Sequence, residues 1–62
     1  MTTYEKIAEA AKKKGKSVSA VSLEAGLSRD TILKWKEVSP SVKNLRAVSD
    51  VLEVPISALI DD

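Results

Sequence analysis

Cysteine and histidine are both absent from the chain. That excludes disulfides, thiolate metal sites and a thiol nucleophile. It also removes the usual zinc ligands, the commonest general base and the Ser-His and Cys-His nucleophile pairs. An enzyme would have to rely on a carboxylate or lysine site, and no such pair stands clustered in the sequence. No catalytic residue, metal, cofactor or small-molecule substrate is therefore expected. Proline and glycine occur only twice each, which argues against a disordered or loop-dominated chain. No apolar run approaches the ~20 residues needed to cross a bilayer. The opening MTTYEKIAEA lacks the apolar core of a signal peptide, so a cytoplasmic protein without a membrane partner is expected.

What is present is a balance of 44% hydrophobic and 31% charged residues over 62 positions, enough for one domain, residues 1–62. A chain of this length buries roughly 60% of its unfolded surface, leaving little room for a deep cleft. The net charge of +1 hides an asymmetry. All ten Lys and Arg lie within residues 1–46 beside five acidic residues, for +5, whereas residues 47–62 hold four acidic residues and no basic one, for −4. A basic surface and an acidic far end suit an anionic partner that touches one side, although lysines at helix ends also serve simply as a solvated surface.

The periodicity reads as about five short helices in an all-α bundle. Thr3 can cap a first helix over about Tyr4–Lys14, with Tyr4, Ile7, Ala8 and Ala11 on one stripe and Gly15 at its end. Lys12, Lys13 and Lys14 complement the dipole there, and with Lys16 they are also placed to meet phosphates. Ser17 caps a second helix, about Val18–Ala25, which Gly26 stops. Ser28 caps a third, about Arg29–Lys36. Val18, Val21, Ala25, Leu27, Ile32 and Trp35 turn inward, which makes Trp35 part of the core and not a stacking platform. Pro40 breaks the pattern, and Ser41 caps a fourth helix, about Val42–Leu52, whose buried stripe is Val42, Leu45, Val48 and Leu52. Pro55 opens a last short helix, about Ile56–Ile60, whose three large apolar residues cannot all hide beneath it.

KGKS, AGLSRDTILKW, PSVKNL and LEVPISALI stand in the order found in one family, and together they span about four-fifths of the chain. In these motifs the chain resembles the helix-turn-helix proteins of the phage-repressor and Cro family, XRE-type bacterial DNA-binding proteins. The resemblance implies a lambda-repressor-like domain whose motif covers residues 17–36. Three departures stand out: Val18 where the family usually has Gln, Lys36-Glu37-Val38 where it has a Glu-Asn-Gly type sequence, and a shorter loop before Pro40-Ser41. Val18 cannot make the phosphate bond of that Gln.

From the resemblance follows a set of expectations about double-stranded DNA. The helix from about Arg29 to Lys36 would enter the major groove, which admits one helix. Arg29 would bond guanine O6 and N7, Asp30 would accept from cytosine N4, and Lys34 would reach a further base or a phosphate. Ser28 and Thr31 offer hydroxyls to phosphates, and Ser17 and Ser19 could replace the missing Gln. Leu33 either meets a thymine methyl or packs at the domain edge. The family implies that the start of the fourth helix approaches the DNA backbone, so Lys43 and Asn44 are expected there; cations in a first helical turn oppose the dipole, a mismatch that an anionic partner would relieve. A small repressor-like or Cro-like transcriptional regulator is the first functional reading. It would be cytoplasmic and nucleoid-associated, and act as a two-fold homodimer formed beforehand or only on DNA. A surface helix start is the lesser reading of Arg29 and Asp30, with Asp favoured at a helix N-terminus whether or not DNA is near. The alternative is a helix-turn-helix scaffold used as a protein-interaction module, antitoxin-like or a phage accessory protein.

Overall fold

Thr2, not Thr3, begins the first helix. In the computed structural model, which describes residues 2–60, the Thr2 hydroxyl accepts from the Glu5 N–H at 3.2 Å. The Glu5 carboxylate accepts from the Thr2 N–H at 3.1 Å in return. This reciprocal capping box satisfies two donors that the helix itself leaves unpaired. It moves α1 to Thr3–Lys13, one residue earlier than the apolar stripe alone suggests. The next two α-helices start on single serine caps. Ser17 accepts from Ala20 N–H at 3.1 Å and opens α2, Val18–Glu24; Ser41 accepts from Asn44 N–H at 3.2 Å and opens α3, Val42–Leu52.

All three α-helices end in the same way. Beyond α1, Lys16 N–H reaches back to Ala11 O and Gly15 N–H to Lys12 O. Beyond α2, Leu27 N–H reaches Ser22 O at 2.9 Å and Gly26 N–H reaches Leu23 O at 3.0 Å. Beyond α3, Val54 N–H reaches Ser49 O and Glu53 N–H reaches Asp50 O. Each is the paired six-to-one and five-to-two closure that needs one residue in the left-handed region. Gly15 and Gly26 supply it at φ 71° and 81°, and Glu53 supplies it at φ 57° with a side chain attached. A Cβ on either glycine would meet nothing within 4 Å, so backbone conformation, not space, calls for glycine there.

The helix expected over Arg29–Lys36 takes a different form. Residues 29–31 are a turn, and a 3-10 helix follows at Ile32–Lys36. Ser28 makes no backbone cap for it. Lys34 N–H is shared between Asp30 O at 3.3 Å and Thr31 O at 3.2 Å, and Lys34 O accepts from both Glu37 and Val38 N–H at 3.1 Å, so the run wavers between 3-10 and α pairing. Two causes act together. Thr31 and Ile32 are adjacent β-branched residues that weaken α propensity. Residues three apart also eclipse in a 3-10 turn, which lets Ile32 and Trp35 sink into the core one above the other. The last expected helix is likewise a single 3-10 turn, Ile56–Ala58, begun where Ala58 N–H bonds Pro55 O at 2.9 Å. The architecture is thus all-helical, with three α-helices and two 3-10 turns in place of five short helices, and no strand among the described residues.

α1, α2 and α3 pack on one another, and Ile32–Lys36 lies against α1 and α2. Their shared core holds Ile7, Ala11, Val21, Ile32, Trp35, Leu45, Val48, Leu52 and Leu59. The α3 stripe begins one turn later than its spacing suggests: Val42, at the first position of the helix, is 68% exposed. At the other end of the chain Leu59 is buried, Ile56 half-buried and Ile60 exposed, while Lys6 Nζ donates to the Ile60 carbonyl and ties this end to α1. The resulting body is compact, 25 × 20 × 18 Å. No helix among the described residues is long and apolar enough to cross a membrane.

Candidate functional site

The connection from α2 to the Ile32–Lys36 turn is fastened by a serine inside the core. Ser22 is fully buried, and its hydroxyl donates to the Ser28 carbonyl at 2.6 Å. That carbonyl also accepts Thr31 N–H at 3.1 Å, and the Ser28 and Thr31 hydroxyls bond each other. A neutral bond of this kind is worth about 1 kcal/mol net, but a hydroxyl buried without a partner would cost more than that. The segment between residues 28 and 31 is therefore held at both ends.

Arg29 and Asp30 occupy the middle of that segment and project into solvent. Their side chains are 72% and 59% exposed, and Arg29 Nε lies 3.5 Å from Asp30 Oδ1. Lys34 follows one turn later, also exposed, with no side-chain partner among the described residues. Leu33 is 37% exposed, at the edge between surface and interior. Five of the residues expected to contact DNA, Ser28, Arg29, Asp30, Thr31 and Lys34, are thus neighbours on one short, pinned piece of backbone.

The remaining expected residues are more scattered in role. The Ser17 hydroxyl is committed to capping α2, and Ser19 is half-buried with no hydrogen bond from its hydroxyl among the described residues. Ser28 and Thr31 turn their hydroxyls to each other. Lys43 is exposed on the first turn of α3 and Asn44 is half-buried, its N–H capped by Ser41. Among the described residues no hydrogen bond or ion pair joins Lys43 or Asn44 to the Ser28–Lys34 segment.

Internal pairing thins the basic surface unevenly. Lys14 Nζ sits 2.9 Å from Glu53 and Lys16 Nζ 2.6 Å from Glu24, so two of the four lysines between residues 12 and 16 face acids of the same chain. Lys36 lies over the Tyr4 ring, 4.9 Å from its centre, a cation–π contact that joins the 3-10 turn to α1. Lys34, Lys43 and Arg46 are exposed and outside any ion pair among the described residues. The Lys14 ammonium, by hydrogen bond and then by charge, holds the Glu53 carboxyl below the ordinary carboxylate range. Hydrogen bonds from Thr2, the backbone one foremost, do the same for Glu5.

Ser22 is the residue that reading the sequence for apolar stripes passes over. Its position was nonetheless legible, since Val18, Val21, Ser22 and Ala25 stand at i, i+3, i+4 and i+7, the spacing of a buried face. Ser49 repeats the pattern in α3: it is buried on the Leu45, Val48 and Leu52 face and donates to Arg46 O at 2.7 Å. Comparison with family models, with curated proteins and with solved structures returned no match.

Proposed function

We propose that the chain is a small sequence-specific binder of double-stranded DNA, a transcriptional regulator of the phage-repressor and Cro type. In this reading α2 and the Ile32–Lys36 turn serve as a helix-turn-helix. The observation that carries it is the pinned segment Ser28–Lys34: a fixed turn that exposes Arg29, Asp30 and Lys34 together while Ile32 within it and Trp35 next to it are buried. Fixed backbone with exposed forked and pointed hydrogen-bonding groups is what base readout in a major groove requires. Lys43 at the start of α3 is the preferred phosphate contact, because a cation in a first helical turn opposes the helix dipole and gains from an anion nearby. Ser17 accepts in its cap and keeps its hydroxyl proton free to donate to a phosphate. Of the Ser28 and Thr31 hydroxyls, which bond each other, one keeps its proton free for the same purpose. The short groove-facing element, a turn and one 3-10 helix, reads few base pairs, which supports a two-fold dimer on sites spaced ~34 Å apart.

Salt titration tests this. Duplex DNA held by several phosphate contacts loses affinity steeply as salt rises, with a log–log slope of about −0.9 per contact. A slope near zero would remove the reading.

Exposed apolar surface favours a second reading, a protein-interaction module. Leu23 is 58% exposed and Val38 57%, and an open apolar groove of about 310 Å³ runs between α1 and the chain's final turn, floored by Ala10, Val54, Ala58 and Leu59. Salt-insensitive binding to a protein would favour it.

A further inference from the structure

We propose that Asp30 is a positioning residue for Arg29 and not an independent reader of cytosine. The inference rests on the DNA-binding reading and refines its specificity. Three observations carry it.

The first is geometric. Asp30 Oδ1 stands 3.5 Å from Nε of Arg29, on the inner edge of the guanidinium. Arg presents five N–H donors in a rigid plane, and a carboxylate on the Nε edge leaves the two terminal nitrogens free as a parallel pair. That terminal pair is the one that matches guanine O6 and N7 end-on.

The second is the backbone. Ser22 Oγ and Thr31 N–H both hold the Ser28 carbonyl, and the Asp30 carbonyl accepts Lys34 N–H at 3.3 Å. Arg29 and Asp30 are therefore attached to a turn that is fixed before and after them. A buttress works only when both side chains start from fixed points, because otherwise the ordering entropy of a long Arg outweighs one weak contact.

The third is electrostatic. Both side chains are more than half exposed, so in the free protein their attraction is largely screened and contributes little to stability. Against DNA, water leaves and the same pair strengthens. An Asp alone beside phosphates would be repelled; an Asp neutralised by Arg29 is tolerated. If Asp30 turned instead to a cytosine, it would give up Arg29 and meet the phosphates' field unaided.

The test compares the wild-type chain with R29A, D30N and the double variant R29A/D30N, each titrated at ~50 mM salt against duplexes in which every base pair of the preferred site is replaced in turn. The sites are exposed, so all four proteins should show the same helical circular dichroism and unfolding midpoint. R29A is expected to cut discrimination at one G·C pair by about tenfold or more, the range of a lost bidentate contact. D30N is expected to cut discrimination severalfold at that same pair and nowhere else, and to have no effect on discrimination in the R29A background. If D30N instead relaxes a different base pair, or weakens discrimination equally with and without Arg29, Asp30 reads DNA by itself. If D30N changes nothing, Asp30 does not position Arg29. In each case the proposal is overturned while DNA binding stands. If the wild-type chain discriminates no base pair at all, the DNA-binding reading falls with it.

Discussion

The hydroxyl of Ser22, enclosed in the core, holds the carbonyl of Ser28, the residue that opens the exposed turn. Core and candidate site thereby share a hydrogen-bonded link: Ser22 also ends α2 through its own carbonyl, which accepts Leu27 N–H. A change at Ser22 acts on both. Ser22→Ala removes the bond but leaves Ser28 O its second partner, Thr31 N–H, so the expected loss is about 1 kcal/mol of unfolding free energy in urea. Under the proposed DNA-binding function the same variant should also lower DNA affinity by more than its fraction unfolded explains, because the turn loses one of its fixings.

The three α-helix starts give a graded series. Ser17→Ala and Ser41→Ala each remove one capping bond and should each cost about 1 kcal/mol. Thr2→Ala removes the hydroxyl half of the box, which accepts from Glu5 N–H and donates to the Glu5 carboxylate, but keeps the Thr2 N–H bond to that carboxylate. It should cost at least as much, read in the same urea experiment. Ser19→Ala, which removes no hydrogen bond among the described residues, is the control and should leave the midpoint nearly unchanged.

Glu53 occupies the left-handed position that Gly15 and Gly26 fill in the other two helix ends. Left-handed backbone is strained for any residue with a Cβ and free of that strain for glycine. Glu53→Gly should therefore raise the thermal midpoint, even though it deletes the ion pair with Lys14, since such an exposed pair is worth little. Glu53→Ala should lower it, having lost the pair and kept the strain.

Acid should loosen the fold through two named carboxyls. Glu53, held down by Lys14, and Glu5, held down by the Thr2 hydrogen bonds, both have pKa values lower in the folded chain than in the unfolded one. Their contribution to stability is complete above the unfolded value and is lost as pH falls through the folded one. Stability should therefore decline below the ordinary carboxylate range, and the combined Glu5→Gln, Glu53→Gln variant should show a flatter decline there, measured as urea midpoints across pH.

Much of this fold was legible from Ser17, Gly26, Ser41 and the α3 spacing, because caps, glycine stops and apolar stripes act through local chemistry. The bounds Val42–Leu52 follow from Ser41 and Leu52 alone. Thr2 was legible in principle as Thr-x-x-Glu, yet Thr3 stands nearer the apolar stripe and masks it. The conversion of Arg29–Lys36 to a turn and a 3-10 helix was not, since Ile32 and Trp35 fit a buried stripe in either helix and only packing against α1 and α2 decides between them. Val42 fits its stripe and lies outside the core for a related reason: periodicity gives a face, not how far along that face the neighbours reach. For the candidate site, the exposure of Arg29, Asp30 and Lys34 agrees with their polar character. The pairings of Lys14 with Glu53, Arg29 with Asp30 and Ser28 with Thr31 depend on three-dimensional approach that spacing does not encode.

Selection from random duplex DNA at ~50 mM salt decides whether Arg29 reads bases. DNA reading by Arg29 predicts enrichment of a short motif containing a G·C pair, in two inverted copies about one helical turn apart if the chain acts as a dimer, and loss of preference at that pair in Arg29→Ala. Enrichment of no motif by the folded wild-type chain would contradict it.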